Sequence, residues 1–248
     1  MRIRFAELAG AVALAFTLPI ATHAQARGRG AVPPKPSEKS PPKATSPLAD
    51  PSNPFWKVKA PEKFMADVET SRGVITLELT RAWAPNGVDH FYNLARAGYY
   101  DDTRFFRVIY GFIAQFGISK DPAAANLWGS HTIPADPLVE HNTRGTISYA
   151  QFKPTDRTTN IFINLRDNPS LDTLKFVPIG RVVSGMDAAD SLFASYGELP
   201  SSDPPLGDPK RLYAETNKYL DEKYPKLDKI IKITVRTDPG PPPSAPKP

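Results

Sequence analysis

Arg104-Phe105-Phe106-Arg107-Val108-Ile109-Tyr110-Gly111-Phe112-Ile113-Ala114-Gln115-Phe116-Gly117 reads as two short β-rich runs, 104–109 and 112–116, dominated by aromatic and branched aliphatic residues. Strand side chains alternate, so Phe105, Arg107 and Ile109 are expected on one face, and Phe106 and Val108 on the other. Similar runs follow at 145–150, 161–165 and 176–183. Upstream, Met65–Thr70 and Val74–Leu79 flank the turn signal Ser71-Arg72-Gly73 and read as a hairpin. Downstream, Ile231, Ile233 and Val235 alternate with polar residues as a closing strand. Helices are few. Pro85 suits a first turn, Val88, Phe91, Leu94 and Ala95 share one helical face, and Gly98 stands where a C-cap glycine belongs. A second helix is expected over Met186–Tyr196, and a third amphipathic stretch runs through Leu212, Tyr219 and Leu220. Many short strands with separated helices argue against βαβ units and for an antiparallel barrel capped by helices.

The flanks are different material. Arg2 and Arg4 precede the apolar run Ala9–Ile20, and Thr22-His23-Ala24 puts small residues at a cleavage site before Gln25. Residues 1–24 therefore read as a signal peptide, too short in its apolar part to be a comfortable membrane span. The expected location is the periplasm, with no stable membrane insertion after cleavage. Residues 25–54 and 239–248 are rich in proline and poor in large apolar side chains. They are expected to be a disordered linker and tail. The net charge of +5 is concentrated in the first 54 residues, leaving the body near +1. No basic face for nucleic acid is implied. The chain has no cysteine, which removes disulfides, thiol catalysis and thiolate metal sites. Its four histidines show no metal-ligand spacing, and there is no phosphate-binding Gly-Lys loop.

Several blocks resemble the cyclophilins. The 104–117 stretch is similar to that family's Phe-His-Arg, two branched aliphatics, and Pro-Gly-Phe-Met-x-Gln-Gly-Gly, with Phe106 in place of His and Tyr110 in place of Pro. Gly145-Thr146-Ile147-Ser148-Tyr149-Ala150 looks like Gly-x-Leu-Ser-Met-Ala, and Thr158–Ile163 looks like Gly-Ser-Gln-Phe-Phe-Ile. Leu171-Asp172 and Gly180–Asp187 supply the later blocks. The resemblance covers roughly residues 64–198 and, with the closing strand, reaches Val235. It implies a closed eight-stranded antiparallel barrel capped by two helices within a domain spanning 55–238, leaving 199–228 as a helical insertion before the last strand.

The implied activity is peptidyl-prolyl cis/trans isomerisation, without cofactor or metal, on proline-containing unfolded or partly folded polypeptides, by a monomer. The peptide-bond barrier of about 18–20 kcal/mol comes from partial double-bond character. No bond need break, so a catalyst has only to stabilise the twisted amide, whose prolyl nitrogen gains a lone pair. A guanidinium, permanently charged with donors in a fixed fork, suits that task. Spacing alone would put Arg107 on a solvated barrel face. The resemblance makes it the catalytic donor, with Phe112 and Gln115 beside it, Gln115 holding substrate backbone or positioning Arg107. Ile113, Phe162 and Leu171 would complete the proline pocket with Phe112. Ala150, Gln151 and Asn160 would line the groove for residues preceding proline.

This sequence departs from the family at several points. Asn160 replaces Gln, Phe116 replaces Gly, Gln151-Phe152-Lys153 replaces a small-residue run, Ser170 stands before Leu171 where a Trp occurs, and Lys175-Phe176 falls where a His is expected. A peptide-binding chaperone or scaffold with little turnover is the alternative reading.

Overall fold

The computed structural model describes residues 46–197 and 208–237. The signal segment, the linker up to residue 45 and the tail lie outside them. Among the described residues the strands are β1 (Lys63–Thr70), β2 (Gly73–Thr80), β3 (Thr103–Arg104), β4 (Arg107–Ile109), β5 (Ile113–Phe116), β6 (Thr146–Tyr149), β7 (Ile161–Asn164), β8 (Pro178–Ser184) and β9 (Lys229–Arg236). The helices are α1 (Pro85–Arg96), α2 (Pro122–Gly129), α3 (Pro169–Thr173), α4 (Met186–Asp190), α5 (Pro209–Glu215) and α6 (Asn217–Lys223). All strand pairs are antiparallel, in the order β3-β9-β1-β2-β8-β6-β7-β5-β4.

The sheet is thus an open, nine-stranded half-barrel, not the closed eight-stranded barrel expected. The two edge strands, β3 and β4, are consecutive pieces of one expected strand. Phe105 and Phe106 interrupt it, and the Phe105 amide donates to Asp228 O at 2.9 Å. The interruption also shifts the side-chain phase. Phe105 and Val108 both face the main core, whereas Phe106 joins a separate apolar cluster, so Phe105 and Arg107 do not share a face as strict alternation required. A β-bulge does the same in β9. Glu69 pairs with Lys232 and Thr70 with Ile230, which leaves Ile231 pushed out and 43% exposed while Ile230 and Ile233 are buried.

The concave face of the sheet is filled by Phe64, Ala66 and Val68 of β1, Ile75, Leu77 and Leu79 of β2, and their equivalents on the later strands. The apolar face of α1 (Val88, Phe91, Leu94, Ala95) is buried in the same core. Gly98 closes α1 with φ +73°, a left-handed conformation in which Tyr99 N reaches Leu94 O at 3.0 Å. The expected helix at 186–196 is shorter, ending at Asp190, where the Ser191 hydroxyl donates back to Ala188 O.

Residues 46–57, mostly assigned by composition to the linker, form two 3-10 turns against the body. Trp128 donates its indole N–H to Leu48 O at 2.9 Å, and the Trp56 and Trp128 rings lie 4.2 Å apart. Prolines that suggested a tether instead begin these turns.

His90 of α1 is packed near Trp128, His131 and Tyr149, with its Nε2 sealed from solvent. Burial, with repulsion from His131 and Arg157, lowers its pKa to about 3. In the unfolded chain His90 takes a proton near its ordinary value of about 6.5. The folded state therefore binds fewer protons, and stability is lost as pH falls from about 6.5 towards 3, at no more than ~1.4 kcal/mol per pH unit from this group. Urea midpoints of the unsubstituted protein should fall between pH 6.5 and 5, a window above ordinary carboxylate titration. His90→Phe should lessen that slope. An equal slope in both proteins would show that His90 does not carry it.

Candidate active site

The convex face of β4, β5, β7 and β6 carries the site. Arg107 pairs with Gln115 across β4–β5, Gln115 with Phe162 across β5–β7, and Phe162 with Ser148 across β7–β6. Paired residues project to the same face, so one row across the sheet runs arginine, glutamine, phenylalanine, serine. The alternate residues Ala114, Phe116, Ile161, Ile163, Ile147 and Tyr149 go to the core. A Cβ at Gly117 would sit 2.3 Å from Thr159 O, and its φ is +127°. Glycine there lets the end of β5 approach the backbone leading into Asn160.

A groove of about 720 Å³ lies on this face, and all nine residues singled out from the sequence line it. Arg107 Nη1 donates to Gln115 Oε1 at 3.3 Å. Beside that pair, Ile113, Phe162 and Leu171 form a small apolar cluster, with Phe112, Ala150 and Phe176 packed against it. Ala150 N donates to Asn160 O at 2.9 Å. Gln151 Nε2 donates to Lys175 O at 2.9 Å, tying one wall of the groove to the loop after α3.

Sequence reasoning missed several contributors. Phe176, in the segment where a His is expected, meets Phe162 edge-on at 5.7 Å, and Lys175 before it adopts φ +62°. Tyr213 of α5 lines the groove and accepts from Asn160 Nδ2 at 3.1 Å. Its neighbour Leu212 carried the helical periodicity, and nothing in the pattern marked Tyr213. Phe106 is buried by Ile118 and Ala125 together with Leu212, Tyr219 and Leu220 of the insertion. The apolar residue in place of the family's His is thus matched to a surface that the insertion supplies.

Beneath the apolar cluster lies a buried polar network. Asn142 donates from its amide nitrogen to Asp172 Oδ1 (2.7 Å) and Phe176 O (2.8 Å), and accepts from Ser148 Oγ (2.8 Å). Asn168 Nδ2 donates to Asn164 Oδ1 at 2.8 Å and Phe112 O at 3.1 Å. These bonds fix the backbone of Phe112 and the helix bearing Leu171. Burial alone would raise the Asp172 carboxyl, but hydrogen bonds from Asn142 and His141 hold it below its ordinary value.

The arrangement offers an apolar cluster lining the groove, a guanidinium beside it, and side-chain amides along it. The family model for "Cyclophilin type peptidyl-prolyl cis-trans isomerase/CLD" matches residues 65–210. The chain belongs to the cyclophilin family. It is, with that family, a peptidyl-prolyl cis-trans isomerase. Among cyclophilin relatives, peptidyl-prolyl cis-trans isomerase ppi1 of Schizosaccharomyces pombe is 38% identical over 131 residues, 49% of this chain and 81% of that protein. A probable peptidyl-prolyl cis-trans isomerase of Brucella suis is 36% identical over 131 residues, 48% of this chain and 66% of that protein. The crystal structure of a Cryptosporidium parvum cyclophilin superposes with a TM-score of 0.52 at 21% identity, covering 71% of this chain and 99% of that one. The same cyclophilin has also been solved in the presence of the dipeptide Ala-Pro.

Proposed function

We propose that this cyclophilin accelerates X-Pro isomerisation in exported polypeptides, with Arg107 stabilising the twisted amide and no covalent intermediate. The observation that carries the reading is the position of Arg107. Its guanidinium stands in register with Gln115, at the edge of the cluster made by Ile113, Phe162 and Leu171. A proline ring on that cluster presents its nitrogen to the guanidinium, and Gln115 Oε1 holds the fork by accepting one of its N–H groups. The substrate segment before proline runs past Ala150, Gln151 and Asn160. The stabilisation is electrostatic and preorganised, acting where charge develops.

Export rests on Arg2, Arg4, the apolar run and Thr22-His23-Ala24. The second reading, a peptide-holding chaperone, draws support from Phe152, 98% exposed on the groove rim. One preparation separates these. When the whole chain is expressed in a Gram-negative host, the osmotic-shock fraction should contain a species whose mass begins at Gln25. That species should turn over an Ala-Pro test peptide in a protease-coupled assay. Retention of Met1 on a cytoplasmic species would overturn export. A folded protein that binds the peptide without turnover would favour the chaperone reading.

A further inference from the structure

The insertion before β9, described from residue 208, is fastened to the body. Arg104 Nε and Nη2 donate to the Asp221 carboxylate at 2.8 and 2.9 Å. The Thr216 hydroxyl donates to Lys120 O at 2.7 Å, and Asn217 Nδ2 to Asp102 O at 2.6 Å. Asn126 of α2 donates to the backbone carbonyl of Tyr213 at 3.0 Å. These attachments, with the packing of Leu212 on the Phe106 cluster, hold Tyr213 in one place.

That place is a boundary. Tyr213, Gly129 and Ser130 line the main groove, and the same three residues line a second, open cavity of about 480 Å³ that also includes Asn126 and Lys210. The ring fits tightly over Gly129, where an added Cβ would fall 2.7 Å from Tyr213 Cε1. Its hydroxyl takes one N–H of the Asn160 side chain, and Asn160 Oδ1 accepts no hydrogen bond among the described residues. A buried acceptor without a donor is unfavourable unless something supplies one.

We propose that Tyr213, a residue of the insertion, determines which substrates this isomerase prefers, by walling off the groove beside Asn160 and orienting the Asn160 amide towards a substrate N–H. The inference rests on the isomerase reading above. The peptide segment preceding proline meets a closed wall at Tyr213, so small side chains fit and large ones are excluded. Removing the ring joins the two cavities and admits the large ones. The hydroxyl does separate work, holding Asn160 so that its Oδ1 can accept from substrate backbone whatever the side chain.

The test is a peptide series carrying Ala, Leu, Phe or Trp at each of the two positions before proline, assayed with three proteins. The unsubstituted chain should prefer Ala at one of those positions. Tyr213→Ala should raise kcat/KM for Phe or Trp there by at least tenfold relative to Ala. Tyr213→Phe should keep the original ranking and raise KM several-fold for every peptide, with little change in kcat. An unchanged ranking in a Tyr213→Ala protein that melts cooperatively would overturn the wall, and so would an altered ranking in Tyr213→Phe, which keeps the ring. If Tyr213→Ala does not fold, Tyr213→Leu, which removes the ring but keeps an apolar side chain over Gly129, takes its place, and an unchanged ranking there overturns the wall. If the unsubstituted protein turns over no peptide, the isomerase reading fails by itself, and the same rankings are then read from dissociation constants.

Discussion

Arg107→Ala is expected to lower kcat/KM by roughly 10²–10³ while leaving the fold intact. The magnitude is that of one preorganised electrostatic donor removed from an active site, about 2.7–4 kcal/mol. The fold should survive because Arg107 lies on the convex face, and the core contacts of β4 are made by Val108. Gln115 stays in place opposite position 107, buried beneath the groove, but a neutral amide cannot replace a charged fork. Arg107→Lys should recover little, since an ammonium is a compact charge without the planar pair of donors. Steady-state rates on an Ala-Pro peptide, with circular dichroism to check folding, decide the matter. A folded Arg107→Ala protein within about threefold of the parent would remove Arg107 from the chemistry.

The hairpin and α1 were legible because one face of each is apolar and buried and the other is mostly polar. Met65–Thr70 and Val74–Leu79 sit in β1 and β2 around Ser71-Arg72-Gly73, and Val88, Phe91 and Leu94 keep a helical period between Pro85 and Gly98. Where both faces are buried the pattern has no phase. Phe105 and Phe106 are both covered, one by the main core and one by Ile118, Ala125 and the insertion, so hydrophobicity could not show that the strand is interrupted at them. Helix α2 was missed for a related reason. Its run Pro-Ala-Ala-Ala-Asn-Leu-Trp-Gly lacks a charged face, and it is held by the Asp121 cap and the burial of Ala124, Ala125 and Trp128.

The groove was readable through the resemblance and not through periodicity, which places Arg107 on a solvated face. The contacts missed are those between residues remote in sequence. Asn160 meets Tyr213 across 53 positions, and Ser71 and Arg72 meet Asp228 across 157 and 156. Polar residues such as Asn142 and Asn168 look like loop or surface material until the fold buries them together. Only then do their hydrogen bonds carry the backbone of Phe112 and Leu171.

The largest stability effect is expected at another such remote pair, Asp136 with Arg157, whose side chains are each 1% exposed. Helix α1 begins after Ala84, which has no side-chain acceptor for the first-turn amides. Asp136 supplies it from a distant loop, accepting from Asn86 N at 3.0 Å and Gly87 N at 2.9 Å, and it also accepts from Arg157 Nη2 at 3.0 Å. Arg157 in turn donates to Pro134 O and lies over the Tyr149 ring, 5.8 Å from its centroid. Asp136→Ala leaves a buried guanidinium without its counter-charge and two helix amides without an acceptor. Breaking a buried pair from one side costs about 3–5 kcal/mol, because the stranded charge has no water to return to. The urea midpoint should drop accordingly with little change in slope. Asp136→Asn, which keeps an acceptor but not the charge, should fall between. The double variant Asp136→Leu with Arg157→Met removes both charges and should recover much of what Asp136→Ala loses, a coupling that single substitutions cannot show. If Asp136→Ala unfolds within about 1 kcal/mol of the parent, the pair is not what holds α1 and the loop before Thr158 in register with the groove.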